Sequence, residues 1–366
     1  MILLVAGPSC MKPENSGHIA ATKKISTLIY SLGKKNKTVK ILNMFTGNFA
    51  CQPICNEIRI KPFLNNYSMN WKINYVLNLI FMRSFKKVFA QLSKEIDISA
   101  VEKIWIYNFD ALSLKIAREI SELNKNIEFI FEVEDSIFSR FKTSIMKSFL
   151  DFLYFQRVKK KVKKVFSVNE ESIKSIVNDD TQVVILPGII NKALICNNYK
   201  NKKIIGYAGG LSIEKGSDIV YDLILESDEN FDFVVIGDGP DAQRFLELEL
   251  TKKNFKFFHK LNEERFVEEY RKIDIFLNPH FENKNIYPFK LYEAISSGKI
   301  VITSKFDNSF FELDDALIEV KRDVKAYKAA IKHCFSDFTK LKKVSHLRAV
   351  RHFKENNLGK VIELFD

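Results

Sequence analysis

The stretch from Asn278 to Thr303, NPHFENKNIYPFKLYEAISSGKIVIT, reads as the end of a strand, an irregular loop, a helix opening near Phe289, a stop at Gly298 and a second strand. A helix that opens straight out of a loop presents unpaired N–H groups and the positive end of its dipole, which suits phosphate. Lys290 and Glu293 are three apart and share one face of the first turn. A cation beside a carboxylate there suits a ligand with both phosphate and sugar hydroxyls. Taken alone, the pair fits the charged face of an amphipathic helix equally well.

Outward from this stretch, short apolar runs alternate with longer amphipathic segments, the mark of parallel strands joined by crossover helices. Behind it come strand candidates at 204–208, 231–236, 255–258 and 273–277, with 300–303 closing the series, and helices near 215–227, 239–250, 262–271, 289–297 and 323–336. The front of the chain repeats the pattern. Its strands are expected at 2–6, 39–44, 103–107, 128–133, 164–168 and 182–186, with helices near 18–33, 70–95, 110–124, 138–162 and 169–178. The expected fold is α/β, two doubly wound Rossmann-like domains with a ligand cleft between them. Residues 1–190 form the first domain, the Asn- and Lys-rich 191–203 a linker and 204–337 the second domain. A basic helical tail, 338–366, is expected to pack back towards the first.

At 366 residues the chain has room for two cores. Its 46% hydrophobic content is that of a globular protein. No apolar run reaches the ~18 residues of a membrane span; Ile73 to Met82, the nearest, is broken by Asn74 and Asn78. The opening MILLVAGPS carries no basic leader, and the five scattered cysteines read as reduced thiols, so a cytoplasmic protein is expected. The net charge of +12 sits in the front: residues 1–190 hold 28 Lys+Arg against 17 Asp+Glu, and the remainder 29 against 28. A basic front surface suits an anionic partner.

Two more loops in the second domain repeat the order strand, glycine turn, helix. Tyr207-Ala208-Gly209-Gly210-Leu211 leads to Glu214-Lys215-Gly216, where paired glycines admit a ligand close to the backbone and Lys215 can reach a phosphate. Gly237-Asp238-Gly239-Pro240 places proline at a first helical position. In an open parallel sheet these loops share the carboxyl edge and converge on one ligand.

These motifs resemble the GT-B glycosyltransferases, specifically the large retaining family 4. Gly209, Leu211, Glu214, Lys215 and Gly216 match its first signature, residues 237–240 its second, and Glu293 in Leu291-Tyr292-Glu293-Ala294 the second of its paired glutamates. Gly17 in Glu14-Asn15-Ser16-Gly17-His18 stands where the family has a glycine-rich loop. There are two departures. Gly210 replaces an arginine that helps neutralise the donor diphosphate, and Asn285 stands eight before Glu293 where the first glutamate is usual, with Glu282 nearby.

The resemblance implies a retaining transferase that moves a sugar from a UDP- or GDP-linked donor without a metal or other cofactor. It assigns Lys215 to the diphosphate, Glu293 to the ribose, and the run Phe258-His259-Lys260-Leu261 to the base. Gly17, Gly209, Gly239, Glu282, Phe289 and Lys290 complete the expected donor site, with Lys290 supplying charge lost at Gly210. In the first domain, Glu132-Val133-Glu134-Asp135 ends a strand that faces the transferred sugar in the family. Glu134 and Asp135 are therefore candidates for acceptor binding and catalysis, and His18 for acceptor binding. Asp135 fits a helix N-cap equally well. His259 and His280 lie in the same ligand loops, whereas His333, His346 and His352 are expected to be solvated.

Two front segments interleave aromatics with basic residues: Trp71 to Phe89, and Ile137 to Lys164. Such segments suit an anionic bilayer better than nucleic acid here, because the clearest ligand loops lie in the neutral half. A lipid-linked or oligosaccharide acceptor of bacterial surface polysaccharide synthesis (O-antigen, capsule or lipopolysaccharide) follows, with the protein peripheral on the inner face of the plasma membrane. The departures at Gly210 and Asn285 leave a second reading, an epimerase-like or non-catalytic GT-B protein that binds nucleotide sugar without transfer.

Overall fold

The computed structural model describes residues 1–6, 19–44, 57–60, 83–134 except 109, 145–189 except 171, 194, 203–281 except 228–229, 289–305, 314–354 and 358–366. The chain divides into two compact units, Met1–Leu186 with Asn357–Asp366, and Pro187–Asn356.

In unit 1, seven strands form one parallel sheet: β1 (Ile2–Ala6), β2 (Val39–Met44), β3 (Glu57–Ile60), β4 (Lys103–Tyr107), β5 (Glu128–Val133), β6 (Val162–Ser167) and β7 (Gln182–Ile185). Their order is β3-β2-β1-β4-β5-β6-β7, with every neighbouring pair parallel. The chain reverses direction across the sheet between β1 and β4, the switch point at which such sheets bind ligands. Helices α1 (Ile19–Lys34), α2 (Arg83–Glu95), α3 (Ala111–Leu123) and α4 (Ile145–Val158) flank the sheet. Central strands such as ILLVA and KIWIY are nearly all apolar because both of their faces are buried. Asp110 opens α3 as an N-cap, its carboxylate accepting from Leu112 N and Ser113 N. Asp151 of α4 accepts from Ala111 N at 2.8 Å, which binds the two helices together.

Unit 2 repeats the design with six parallel strands: β8 (Ile205–Gly210), β9 (Phe233–Asp238), β10 (Phe255–His259), β11 (Ile275–Asn278), β12 (Ile300–Thr303) and β13 (Leu317–Glu319). The order is β10-β9-β8-β11-β12-β13, with the switch point between β8 and β11. Helices α5 (Ser217–Leu225), α6 (Ala242–Thr251), α7 (Glu263–Lys272), α8 (Phe289–Ser296), α9 (Val324–Ser336) and α10 (Phe338–Lys354) complete it. A last helix, α11 (Leu358–Glu363), returns the chain to unit 1.

The expected doubly wound pair is therefore present, with three local differences. Strands β3 and β13 were not expected: they are short edge strands, and the alternating EIRI and the three-residue LIE give little apolar signal. The helix expected over 169–178 is only a hydrogen-bonded turn at 172–176, set by Asn169 Oδ1 accepting from Ser172 N at 2.8 Å. The segment 338–366 is split between the units. Its helix α10 grips the turn between α8 and β12: Ser345 Oγ donates to Gly298 O at 3.0 Å, Arg348 to Lys299 O at 2.8 Å, and Lys342 pairs with Asp274 at 3.0 Å. Only the final residues join unit 1, where buried Phe365 meets the Trp105 ring at 5.3 Å and Lys164 donates to Leu364 O.

Candidate functional site

The carboxyl-edge loops of unit 2 interlock so closely that side chains are excluded. A Cβ on Gly237 would lie 2.2 Å from Gly209 O, and one on Gly239 would lie 2.4 Å from Leu211 O. Leu211 N donates to Asp238 O at 2.8 Å and Asp241 N to Leu211 O at 3.2 Å, so the first two glycine turns are one hydrogen-bonded body. The third loop is seated on the first at Gly216. This residue holds φ +88°, where a Cβ would lie 2.1 Å from Pro279 O. Arg322 completes the clamp. It donates to Pro279 O and Ile213 O, each at 3.0 Å, pairs with Asp218 at 2.6 Å, and covers the Phe281 ring.

Lys290, in the first turn of α8, reaches back over β8. Its Nζ donates to the Tyr207 phenol at 3.0 Å and to the Lys215 carbonyl at 3.3 Å, and stands 4.1 Å from the Tyr207 ring centre. Tyr207 in turn donates to Gly210 O at 2.6 Å. The Lys290 stem covers Gly209, where a Cβ would come within 3.1 Å of its Cδ, whereas above Gly210 the nearest atom is Lys215 Cγ at 3.9 Å. Burial, together with the charge of Lys215, holds the Lys290 ammonium well below the usual lysine range. Among the described residues, no carboxylate forms an ion pair with Lys215 or Lys290. Two ammonium groups on rigid supports in this state are stabilised by an incoming anion.

Beneath them lies a buried polar group built from β11 and β12. Asn278 donates its amide to Thr303 Oγ1 at 2.9 Å, and His280 Nδ1 lies 3.0 Å from that amide nitrogen and 3.2 Å from the Asn278 carbonyl oxygen. His280 is held neutral, its pKa pushed down to about 4 by burial and by the nearby charges of Lys290, Lys215 and Arg322.

The remaining donor candidates lie at the flanks of this body. Asp238 is held below the usual carboxylate range first by its contact with His259 at 2.8 Å, with Lys260 at 3.5 Å. Lys260 adopts φ +51°, and Leu261 packs on the core beneath. Glu293 is half-buried on α8, and its charge adds to burial in keeping the Tyr270 phenol protonated.

Unit 1 carries a second polar cluster where β4 and β5 end. Glu132 and Glu134, two apart on one face, both pair with buried Lys24 of α1, Glu132 at 2.6 Å. Trp105 Nε1 donates to the other Glu132 oxygen at 2.9 Å, and the Tyr107 phenol donates to Glu134. Asn108 accepts from Glu134 N at 2.9 Å. Burial acts to lower the Lys24 pKa, but Glu132 and Glu134 outweigh it and hold the ammonium above the usual lysine range. Glu132 is buried, whereas the Glu134 side chain is 25% exposed, so Glu134 is the one able to meet a ligand.

Gly209, Lys215, Gly239 and Lys290 are thus brought together, with Lys260 and Leu261 on a neighbouring loop and Glu293 on α8 of the same unit. Gly17, His18, Asp135 and Glu282 lie outside the described residues, as does the side chain of Phe289. His352, expected in solvent, is instead half-buried against Tyr292 with ring centres 6.4 Å apart, and burial lowers its pKa to about 4. Sequence reasoning did not single out Tyr207, Lys24 or Arg322. A tyrosine and a lysine in apolar-patterned segments look like core and surface, and Arg322 lies far from every motif.

Residues 202–337 match the family model of Glycosyl transferases group 1. No curated protein matches the sequence. Among solved structures, the sucrose-phosphate synthase of Thermosynechococcus elongatus is 14% identical, with a TM-score of 0.70, over 100% of this chain and 98% of that one. HepE of Anabaena in complex with UDP is 12% identical, with a TM-score of 0.67, over 100% and 98%. A trehalose-6-phosphate protein from E. coli bound with UDP-2-fluoro glucose is 12% identical, with a TM-score of 0.63, over the same shares. At these identities the likeness is one of fold. The chain has the two-unit GT-B fold throughout, and its second unit is similar to the group 1 glycosyl transferases, in line with the resemblance read from the motifs.

Proposed function

We propose that this protein is a retaining glycosyltransferase that moves a hexosyl group from a UDP- or GDP-linked donor to a glycan acceptor. The observation that carries the reading is the pair Lys215 and Lys290, two cations without an ion-paired carboxylate among the described residues, on the carboxyl edge of unit 2. In the step, the bond from the anomeric carbon to the diphosphate breaks and its electrons stay on the diphosphate. The acceptor oxygen bonds to the same face of the sugar, and its proton passes to a diphosphate oxygen. Lys215 and Lys290 stabilise the charge that develops on the leaving group. Glu293 takes the ribose hydroxyls, Lys260 and Leu261 line the base, and Gly209 and Gly239 let the backbone approach. Glu282 and Phe289 complete the donor loop. Glu134, with His18 and Asp135, serves the acceptor. No metal or other cofactor is required by this scheme.

The acceptor is proposed to be lipid-linked or an oligosaccharide of bacterial surface polysaccharide synthesis, met at the inner face of the plasma membrane. Helix α4 supports this part. Its inner face packs Phe152, Tyr154 and Phe155 on the core, while Ile145, Phe149 and Leu153, spaced by four, are exposed and followed by exposed Arg157, Lys160 and Lys161. That row combines apolar insertion with attraction to anionic lipid. The other aromatic segment gives no such support: Phe89 packs on the core, and residues 71–82 lie outside the described residues.

The test is transfer from labelled UDP- and GDP-sugars to lipid extracts and oligosaccharides, read with and without anionic vesicles. Product formation that is lost in Lys215→Ala supports the transferase. Donor binding without transfer to any acceptor or to water supports the alternative non-transferring protein, a reading favoured by Gly210 in place of an arginine. Unaltered vesicle binding by the double variant Phe149→Glu, Leu153→Glu would remove the membrane part alone.

A further inference from the structure

The carboxyl end of β4 is shaped around one residue of β5. Tyr107 lies in register with Glu132, yet its phenol donates to Glu134 Oε2, two residues further on. The other oxygen of Glu134 accepts from Lys24 Nζ. Tyr107 is 3% exposed and the Glu134 side chain 25%, so a buried phenol holds a carboxylate that reaches the surface. Asn108 follows in the left-handed region at φ +44°, a conformation that asparagine tolerates and most residues avoid. There its N donates to Glu132 O at 2.8 Å and its Oδ1 accepts from Glu134 N at 2.9 Å. Ser172 Oγ donates to Glu134 O at 3.3 Å. The backbone and the carboxylate of Glu134 are both fixed by neighbouring elements.

The chemistry of these holders decides what the carboxylate can meet. An ammonium and a phenol both donate, so the two Glu134 oxygens are acceptors and the group is ionised. A ligand group that meets it must bring a hydrogen of its own, which a sugar hydroxyl does. A non-glycine residue kept in left-handed backbone beside such a carboxylate is the kind of local strain that collects at functional sites.

We propose that Tyr107 and Asn108 are positioning residues for Glu134, holding its carboxylate as a hydrogen-bond acceptor for a hydroxyl of the acceptor sugar. The inference rests on the reading of the chain as a transferase with Glu134 at its acceptor, and adds two residues outside every motif of the sequence. Glu134 makes the contact with the ligand, and Tyr107 and Asn108 act only through it.

The experiment follows transfer by the full chain, from whichever labelled UDP- or GDP-sugar and to whichever lipid extract or oligosaccharide gives product with wild type. Absence of product from all of them would overturn the transferase reading itself, and wild-type turnover in Glu134→Gln the acceptor role of this carboxylate. Tyr107→Phe keeps the buried ring and removes the donor. It is expected to raise the acceptor KM about tenfold with the donor KM unchanged. The acid limb of its pH profile should move upward, because the ionised carboxylate loses a hydrogen bond. Among the described residues, the titratable groups facing Glu134 are Lys24 of α1, Tyr107 of β4 and Glu132 of its own strand. Lys24 and Glu132 stay in place in this variant, so the lost phenol sets the direction. In the Glu134→Gln background the same substitution should bring no further loss, since it acts through the carboxylate. Asn108→Gly, which permits the same backbone angle and removes the acceptor for Glu134 N, should show the same dependence on Glu134 and stands in if Tyr107→Phe fails to fold. Independent losses in the double variants, or an unmoved acid limb in Tyr107→Phe, would overturn the inference and leave the wider reading standing.

Discussion

The Lys290 ammonium donates to the Tyr207 phenol at 3.0 Å and sits 4.1 Å above the same ring. A residue from the first turn of α8 thereby places its charge over β8, beside Gly209 and Gly210. Tyr207 is fully buried and passes the contact on to Gly210 O, so the lysine is supported from beneath by a side chain that cannot move.

Lys290→Ala is expected to weaken nucleoside diphosphate binding by about 10- to 100-fold, the scale of one charge-assisted hydrogen bond. Adding Gly210→Arg to that variant should recover part of the affinity, because the space above Gly210 is open to 3.9 Å. Since burial and Lys215 depress the Lys290 pKa, an anion bound there raises it again. At pH values around the depressed pKa, binding should therefore take up protons, and it should weaken as pH rises, which calorimetry in buffers of different ionisation enthalpy reads directly. Binding with no proton uptake and no loss in Lys290→Ala would take Lys290 out of the site.

Glu134→Gln is expected to lower turnover about 100-fold while leaving diphosphate affinity unchanged, because its cluster belongs to unit 1. Lys24→Met should instead unfold unit 1, since it strands two carboxylates, one of them fully buried. Melting curves separate the two outcomes. Wild-type turnover in Glu134→Gln would leave this carboxylate a purely structural role.

Acid should destabilise unit 2 through His280. Its folded pKa of about 4 lies below the unfolded value near 6.5, so the unfolded chain binds the extra proton between them. The stability is complete above pH ~6.5 and is lost as pH falls through about 4, by an amount on the order of 3 kcal/mol. Melting temperature measured over pH 4–7 should fall less steeply in His280→Gln than in wild type. Parallel slopes would mean that the ring titrates as if exposed.

Phe365→Ala is expected to destabilise unit 1 by about 3–4 kcal/mol, the usual cost of deleting a buried phenylalanine side chain. Phe365 is fully buried, 5.3 Å from Trp105 and 6.3 Å from Phe166. Urea unfolding followed by the fluorescence of Trp105 checks this, and an unchanged midpoint would show that the chain end contributes little.

The alternation of apolar runs with amphipathic segments determined the doubly wound class by itself, because central parallel strands are buried on both faces and leave an unmistakable record. The glycines of the ligand loops were legible for a related reason: Gly216 and Gly239 stand where backbone passes within 2.1–2.4 Å of a built Cβ, so no other residue type fits. Lys215, Lys290 and Glu293 followed from their places in those motifs. What only the tertiary structure decided is which side chains complete them. Arg322 reaches Ile213, Asp218 and Pro279, and Lys290 reaches Tyr207, so these partners are set by packing across the sheet rather than by spacing along the chain. The same holds for the end of the chain. Helix α10 and the final residues read as one helical tail, yet α10 grips Gly298 and Lys299 while Phe365 enters the core beside Trp105, a difference made by which cavity each side chain fills.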